Sequence, residues 1–208
     1  MTRRRDPFIQ ALESLRTRAE CGVFAPGRPV VIIDEARRLR LSTTPVREAL
    51  AWLCGYGLIE RAPTGGYVAP RLDAAVVRQR LGFRLHCLSI SLNGASQSHG
   101  RAQMQNGQEG LEHCVADLML RAVKGTGNDA LVDAYQRVNS QLLQLAPAER
   151  RLFRDLDDEA AEIVRLFEAA PGHGLPEAIA AYHQRRIDAA PLLVLEAEAQ
   201  RDPPPSVD

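Results

Sequence analysis

The sequence has no run of 18 apolar residues, so no transmembrane helix is predicted. Behind the charges of Met1-Thr2-Arg3-Arg4-Arg5-Asp6-Pro7 there is no apolar segment of the kind a secretory leader needs; the expected location is the cytoplasm, with no membrane partner. Cys21, Cys54, Cys87 and Cys114 include no Cys-x-x-Cys pair, which removes a zinc knuckle and a disulfide framework and leaves reduced, mostly buried thiols as the expectation. A strand-turn nucleophile, a phosphate-cradling glycine loop and a metal cluster are also missing, so no enzyme and no catalytic residue is expected. Glu112-His113-Cys114 sets an imidazole beside a thiol in sequence only, because neighbours on a helix point in different directions. There is no internal repeat.

Net charge is absent too, at a formal value of zero, but the cancellation hides an asymmetry. Residues 1–71 carry 12 Arg against 7 Asp and Glu, a balance of +5, and residues 72–208 carry 14 Lys and Arg against 19 Asp and Glu, a balance of −5. A basic front joined to an acidic rear suits a DNA reader with a separate sensing or dimerising module, although a chance imbalance on solvated faces gives the same figures. With 208 residues, 45% of them hydrophobic, the chain is long enough for one large or two small domains with a real core.

What is present centres on the run from Leu41 to Glu60. Ser42 or Thr44 can cap a helix there, and Pro45 falls in the first turn, where a missing N–H costs nothing. Val46, Leu50 and Leu53 at i, i+4 and i+7 make one apolar stripe, and Gly55 and Gly57 are available to end the helix. The opposite face carries Thr43, Thr44, Arg47 and Glu48 near the helix N-terminus, a surface of hydroxyls, a guanidinium and unpaired N–H groups that suits phosphates and base edges.

Around this run the chain reads in order. Phe8, Ile9, Leu12 and Leu15 repeat at helical spacing, with an end near Gly22; Arg28 to Ile33 is β-branched enough for a short strand; Asp34 to Arg40 makes a two-turn helix. Two helices so closely joined are a helix-turn-helix, whose second member enters the major groove. Leu58–Ala62 and Tyr67–Ala69 read as strands of a hairpin or wing, with Gly65-Gly66 supplying positive φ and Thr64 a hydroxyl, although an ordinary surface hairpin has the same pattern. Arg3-Arg4-Arg5 is a basic arm or a frayed terminus.

After a hinge at Pro70–Asp73, almost everything reads as helix. Stripes run through Val77, Leu81, Leu85, Leu88 and Leu92; through Leu111, Val115, Leu118 and Ala122; and through Leu131, Tyr135, Val138, Leu142 and Leu145, followed by shorter patterns to Ala199. Residues 96–110 are expected to form a loop or a poorly held helix start, and 201–208 a loose tail. The fold class predicted is mainly α: a winged helix-turn-helix domain over 1–71 and an all-α helical bundle over 72–208.

The ordered set Ser42-x-Thr44-Pro45-Val46-Arg47-Glu48-Ala49-Leu50, followed by Gly57-Leu58-Ile59-Glu60, resembles the recognition helix of the GntR family of bacterial transcription regulators. The match stays in register from Leu12 through Phe24-Ala25-Pro26-Gly27 to Gly65-Gly66-Tyr67-Val68, about a third of the chain. It implies a sequence-specific DNA-binding regulator, a repressor working as a homodimer on a near-palindromic double-stranded operator. Arg47 is the first residue expected at DNA, with Ser42, Thr43, Thr44, Arg40, Thr64, Gly65 and Gly66 around it; the competing role for Arg47 is a pair with Glu48 or Glu60. Three positions depart from the family. Thr43 stands where Arg is usual, so the operator cannot be borrowed from relatives. Glu35 replaces a Leu on the core side of the second helix, and Arg40 replaces a Gly.

Residues 72–208 are similar to the all-α ligand-sensing domain of the FadR/FCD branch, on the strength of Gly127-Asn128-Asp129-Ala130-Leu131 and Ala180-Ala181-Tyr182-His183. That branch implies a small carboxylate effector, often held through a metal by an Asp and three His. Leu118-Met119 and Glu159-Ala160 stand where two of the histidines belong, so no metal cofactor is expected. His183 shares a face with Ile179 and Ile187, which fits a hydrogen-bonded core histidine; His183, Arg84 and Arg137, with Arg80 and His86 nearby in the pattern, are the candidates to hold an acid effector. His99, His113 and His173 are expected to be exposed. The alternative function keeps the DNA reader and leaves the helical domain to dimerise or recruit a protein, with no small-molecule sensing.

Overall fold

A computed structural model describes residues 6–94, 111–169 and 174–199, with backbone alone at 111–113. The arm Arg3-Arg4-Arg5, the stretch 96–110, the tail 201–208, His99, His173 and the side chain of His113 therefore lie outside the described residues. The described residues are mainly α: α1 (Pro7–Glu20), α2 (Ile32–Leu39), α3 (Thr43–Tyr56), strands β1 (Glu60–Arg61) and β2 (Tyr67–Val68), then α4 (Ala74–Gly94), α5 (Leu111–Lys124), α6 (Asp129–Leu143), α7 (Ala146–Leu152), α8 (Leu156–Glu168), α9 (Leu175–Asp188) and α10 (Ala190–Ala199). They form a winged helix-turn-helix followed by an all-helical part. The chain divides into two compact units, one of Met1–Asp73, Ser140–Pro147 and Val194–Asp208, the other of Ala74–Asn139 and Ala148–Leu193. Sequence order alone has no means of showing that two rear segments group with the front.

In the first unit α1 begins at a capped turn: Asp6 accepts the Phe8 N–H at 2.8 Å, and Pro7 fills the position where no N–H is needed. Its apolar face packs on α3, with Ala11, Leu15, Val46, Ala49, Leu50 and Leu53 fully buried. Each large aliphatic side chain there contributes about 1.5–3 kcal/mol of burial. Small residues at Ala11 and Ala49 add to the close fit of the two helices. The left-handed Gly57, at φ 78°, ends α3 and turns the chain into the hairpin.

The strand expected over residues 28–33 is only partly there. Pro26 and Pro29 make isolated bridges to Ala69 and Val68, and the Val30 N–H donates to the Tyr67 carbonyl at 2.8 Å. Then Val31 O accepts from Asp34 and Glu35, so α2 starts at Ile32, two residues earlier than expected. Here packing overrides β-branched propensity: Ile32 packs against the core and Ile33 faces solvent.

Glu35, a charge on the core side of α2, is 7% exposed and is held by Arg18 at 3.2 Å and Arg38 at 2.8 Å. Its charge is thereby neutralised inside the fold rather than offered to solvent. The thiols correct another expectation: only Cys87 is buried, Cys54 and Cys114 are half-buried, and Cys21 is exposed just beyond the packed face of α1. Burial pushes the Cys87 thiol up from its ordinary pKa, which makes it a poor nucleophile.

In the second unit α4 packs on α9 and α5, α5 on α8, and α8 on α9. The expected stripes form its core: Val77, Leu81 and Leu88 of α4 are buried, as are Val115 and Leu118 of α5 and Tyr135 and Val138 of α6. No helix among the described residues is long and apolar enough to cross a membrane.

Candidate nucleic-acid interface

The N-terminal turn of α3 is left open by its own cap. Ser42 has extended backbone, at φ −71° and ψ 166°, but its side chain makes no bond to the first-turn amides. Those N–H groups and the positive end of the helix dipole therefore face outward beside Ser42, Thr43 and Thr44. Arg47 follows on the same face and is exposed. Among the described residues neither Glu48 nor Glu60 lies within ion-pair distance of it, so the competing role is not the one adopted.

Two elements frame this turn. Before it, Arg40 ends α2 in the left-handed conformation, at φ 55° and ψ 40°, donating its N–H to Ala36 and Arg37 carbonyls. This explains why glycine suits the position and why an arginine there needs a reason. Behind it stands the wing: β1 pairs antiparallel with β2, Glu60 opposite Val68 and Arg61 opposite Tyr67. Gly65 and Gly66 form its exposed tip at φ 92° and 82°, with no heavy atom within 4 Å of a Cβ built at either, and Thr64 is exposed beside them. A backbone so bare can approach a sugar-phosphate chain closely.

Tyr67 joins wing and helix. Its ring is buried, its hydroxyl donates to the Arg47 carbonyl at 3.3 Å, and the Arg61 guanidinium lies 5.5 Å from the ring centroid. From the sequence Tyr67 is a hairpin residue without a role of its own. Its position directly after Gly65-Gly66, as the only large inward residue of β2, was the available signal.

The residues expected to hold an effector do not gather as a set. Arg137 is exposed, as is His86, whereas Arg84 and His183 are buried and bonded to each other, Arg84 Nε donating to His183 Nε2 at 3.1 Å. That bond fixes the tautomer. With its Nε2 lone pair taken, His183 carries its proton on Nδ1 and donates to the Ile179 carbonyl at 2.7 Å. Burial and the neighbouring Arg84 push its pKa down to about 2, so the ring is neutral.

A transition metal does not fit here. His183 has no lone pair to give, Met119 and Ala160 are buried and have no ligating group of the expected kind, and no cluster of three or more His, Cys, Asp or Glu placed for a metal occurs among the described residues. Asn139, to which the sequence pattern gives no role, holds Arg84 as well: its Oδ1 accepts from Arg84 Nη1 at 3.2 Å.

No known family profile matches the chain. Over 88 residues it is 33% identical to an HTH-type transcriptional regulator of Agrobacterium vitis, in the TAR-I ttuE-ttuC' intergenic region; the match covers 42% of this chain and 48% of the relative. The chain thus spans about half the length of that curated relative. The E. coli protein McbR/YncC shares the fold, with a TM-score of 0.63 at 15% identity over 89% of this chain and 97% of that one. A GntR family member from Pseudomonas syringae pv. tomato superposes at a TM-score of 0.44 with 18% identity, over 94% and 87% of the two chains. The fold is thus that of McbR/YncC, a winged helix-turn-helix followed by a helical domain, and over 88 residues the sequence is similar to an HTH-type transcriptional regulator.

Proposed function

We propose that this protein is a sequence-specific DNA-binding repressor that acts as a homodimer on a near-palindromic operator and responds to a small-molecule effector. Residues 1–71 read the DNA and residues 72–208 sense and dimerise. The observation that carries the reading is the open N-terminal turn of α3, where Arg47 is exposed with no carboxylate among the described residues in ion-pair distance, and the wing stands tied to the same helix. Ser42, Thr43, Thr44 and Arg40 supply hydroxyl and cationic contacts around it, and Thr64, Gly65 and Gly66 bring the wing to the backbone. Because Thr43 offers one hydroxyl and a methyl in place of a two-pronged guanidinium, base recognition falls chiefly to Arg47.

The test is selection of randomised duplex DNA by the full chain, followed by a salt series on the recovered sequence. A two-fold-related site is expected, and Arg47→Ala should cost about 1–3 kcal/mol of specific binding and relax the preference at one position in each half-site. Recovery of sequence-blind, salt-sensitive binding alone would overturn the reading.

A further inference from the structure

The recognition helix α3 has one open end and one closed end. Its first-turn amides face outward at Ser42, whereas its last carbonyls are answered one by one. An α-helix leaves four carbonyls at its C-terminus without an intrahelical donor. Around the left-handed Gly57 two of them are met by backbone: the Gly57 N–H donates to Cys54 at 3.0 Å and the Leu58 N–H to Leu53 at 3.1 Å. The Tyr56 carbonyl is met by a side chain from far along the sequence, Gln141 of α6, whose Nε2 donates to it at 2.9 Å across 85 positions. Gly57 makes room for this contact, because a Cβ built on it would collide with Gln141 Nε2.

The turn that carries Gln141 is itself anchored. Ser140, 4% exposed, accepts from Arg16 Nη2 at 2.9 Å, and Leu142 and Leu145 are buried. Arg16 also donates to Glu20 at 2.9 Å and lies 5.0 Å from the centroid of the Tyr56 ring, which stacks on Trp52 at 4.9 Å. The last turn of α6 thus belongs with α1 and α3, in the unit that groups Ser140–Pro147 with Met1–Asp73. Two side chains then hold α3 from outside, Tyr67 at the Arg47 carbonyl and Gln141 at the Tyr56 carbonyl. These carbonyls are nine residues apart, roughly 13 Å along the helix axis. A stiff helix held at two such points is not free to tilt about either.

We propose that Gln141 is a positioning residue for DNA recognition: by holding the C-terminal turn of α3 it fixes the direction in which Arg47 is presented to the bases. The DNA-reading unit is completed by a segment from the rear of the sequence. This deepens the DNA-binding reading and rests on it for the effect at the operator, but not for the grip on α3. Base contacts tolerate little misplacement, so loosening the far end of the helix weakens specific binding more than sequence-blind binding.

Three full-length proteins test this: the parent; Gln141→Met, which keeps length and charge and loses the donor; and Gln141→Lys, which restores a donor. Amide hydrogen exchange without DNA should be about tenfold faster over Leu53–Leu58 in Gln141→Met than in the parent, and close to the parent in Gln141→Lys. On DNA the readout is the ratio of affinity for the selected operator to affinity for a scrambled duplex. That ratio should fall about tenfold in Gln141→Met and recover in Gln141→Lys, while Gln141→Met binds the scrambled duplex as the parent does. A residue that only stabilised the fold would leave the ratio unmoved, because folded proteins are compared. Equal exchange over Leu53–Leu58 in the parent and Gln141→Met, or an unchanged ratio, overturns the proposal. A parent that selects no operator removes the DNA reading and this role with it, whereas the exchange comparison decides the grip by itself.

Discussion

The Tyr67 hydroxyl donates to the Arg47 carbonyl at 3.3 Å, so the second strand of the wing is fastened to the backbone of α3 at a residue whose side chain is exposed. The bond is long, and its worth is at the low end of the usual ~0.5–1.5 kcal/mol. Tyr67→Phe is expected to lower the unfolding free energy by about 0.5 kcal/mol and to weaken operator binding a few-fold. The salt slope of binding should stay as in the parent, because no phosphate contact is removed. Chemical denaturation and a salt series read both; a salt slope reduced by about one would mean that Tyr67 itself touches a phosphate.

Arg40 makes a different trade. A left-handed arginine costs about 1–2 kcal/mol, and glycine there is free of that strain while losing more chain entropy on folding. Arg40→Gly should therefore raise stability by up to about 1 kcal/mol and yet weaken DNA binding, with a salt slope smaller by about one phosphate. Arg40→Ala retains the strain and loses the charge, so it should show the binding defect alone. Equal DNA affinity for all three proteins would remove Arg40 from the interface.

Much of this was legible in the sequence because it is local. The apolar spacing of Val46, Leu50 and Leu53, the glycine after Tyr56 and the glycine pair after Thr64 each specify their own conformation. What depends on contacts between distant residues was not legible. Ile32 and Ile33 read as strand from their side chains, and only the bridge from Val30 to Tyr67 shows where pairing ends and helix begins. Glu35 is out of place by local pattern, and its partner Arg18 lies seventeen positions earlier. Arg84 and His183, 99 positions apart, form a buried bond that no periodicity encodes.

Arg186 ties α7, α8 and α9 through Glu149 and Glu159. Removing one carboxylate leaves the guanidinium its other partner, so Glu149→Gln and Glu159→Gln should each cost about 1–3 kcal/mol. The double variant leaves a buried charge with neutral acceptors only, and should cost more than the sum of the two. Urea denaturation of the four proteins gives the coupling directly. Simple additivity would mean that solvent already screens the cluster.

His183 sets a pH dependence whose sign follows from its surroundings. Arg84 at Nε2 and Arg186 nearby both oppose a positive ring, burial opposes it further, and the Ile179 carbonyl accepts from Nδ1 without offsetting them. The Tyr182 ring meets it edge-on, 5.1 Å between centroids, and Glu149 and Glu159 are already engaged by Arg186. The native pKa of about 2 lies below the unfolded value near 6.5. The unfolded chain therefore takes up a proton below pH 6.5 that the folded chain refuses, and stability present above that pH is lost as pH falls towards about 2. The slope approaches ~1.4 kcal/mol per pH unit for this one group. Urea denaturation between pH 7.5 and pH 5.5 should show the decline, and His183→Gln, which keeps an acceptor for Arg84 but does not titrate, should flatten that part of it. The range stops above the ordinary carboxylate values, so acid groups add little to the difference. An identical pH profile in the variant would mean that His183 takes up its proton in the folded protein, and with it that the bond from Arg84 is not held in solution.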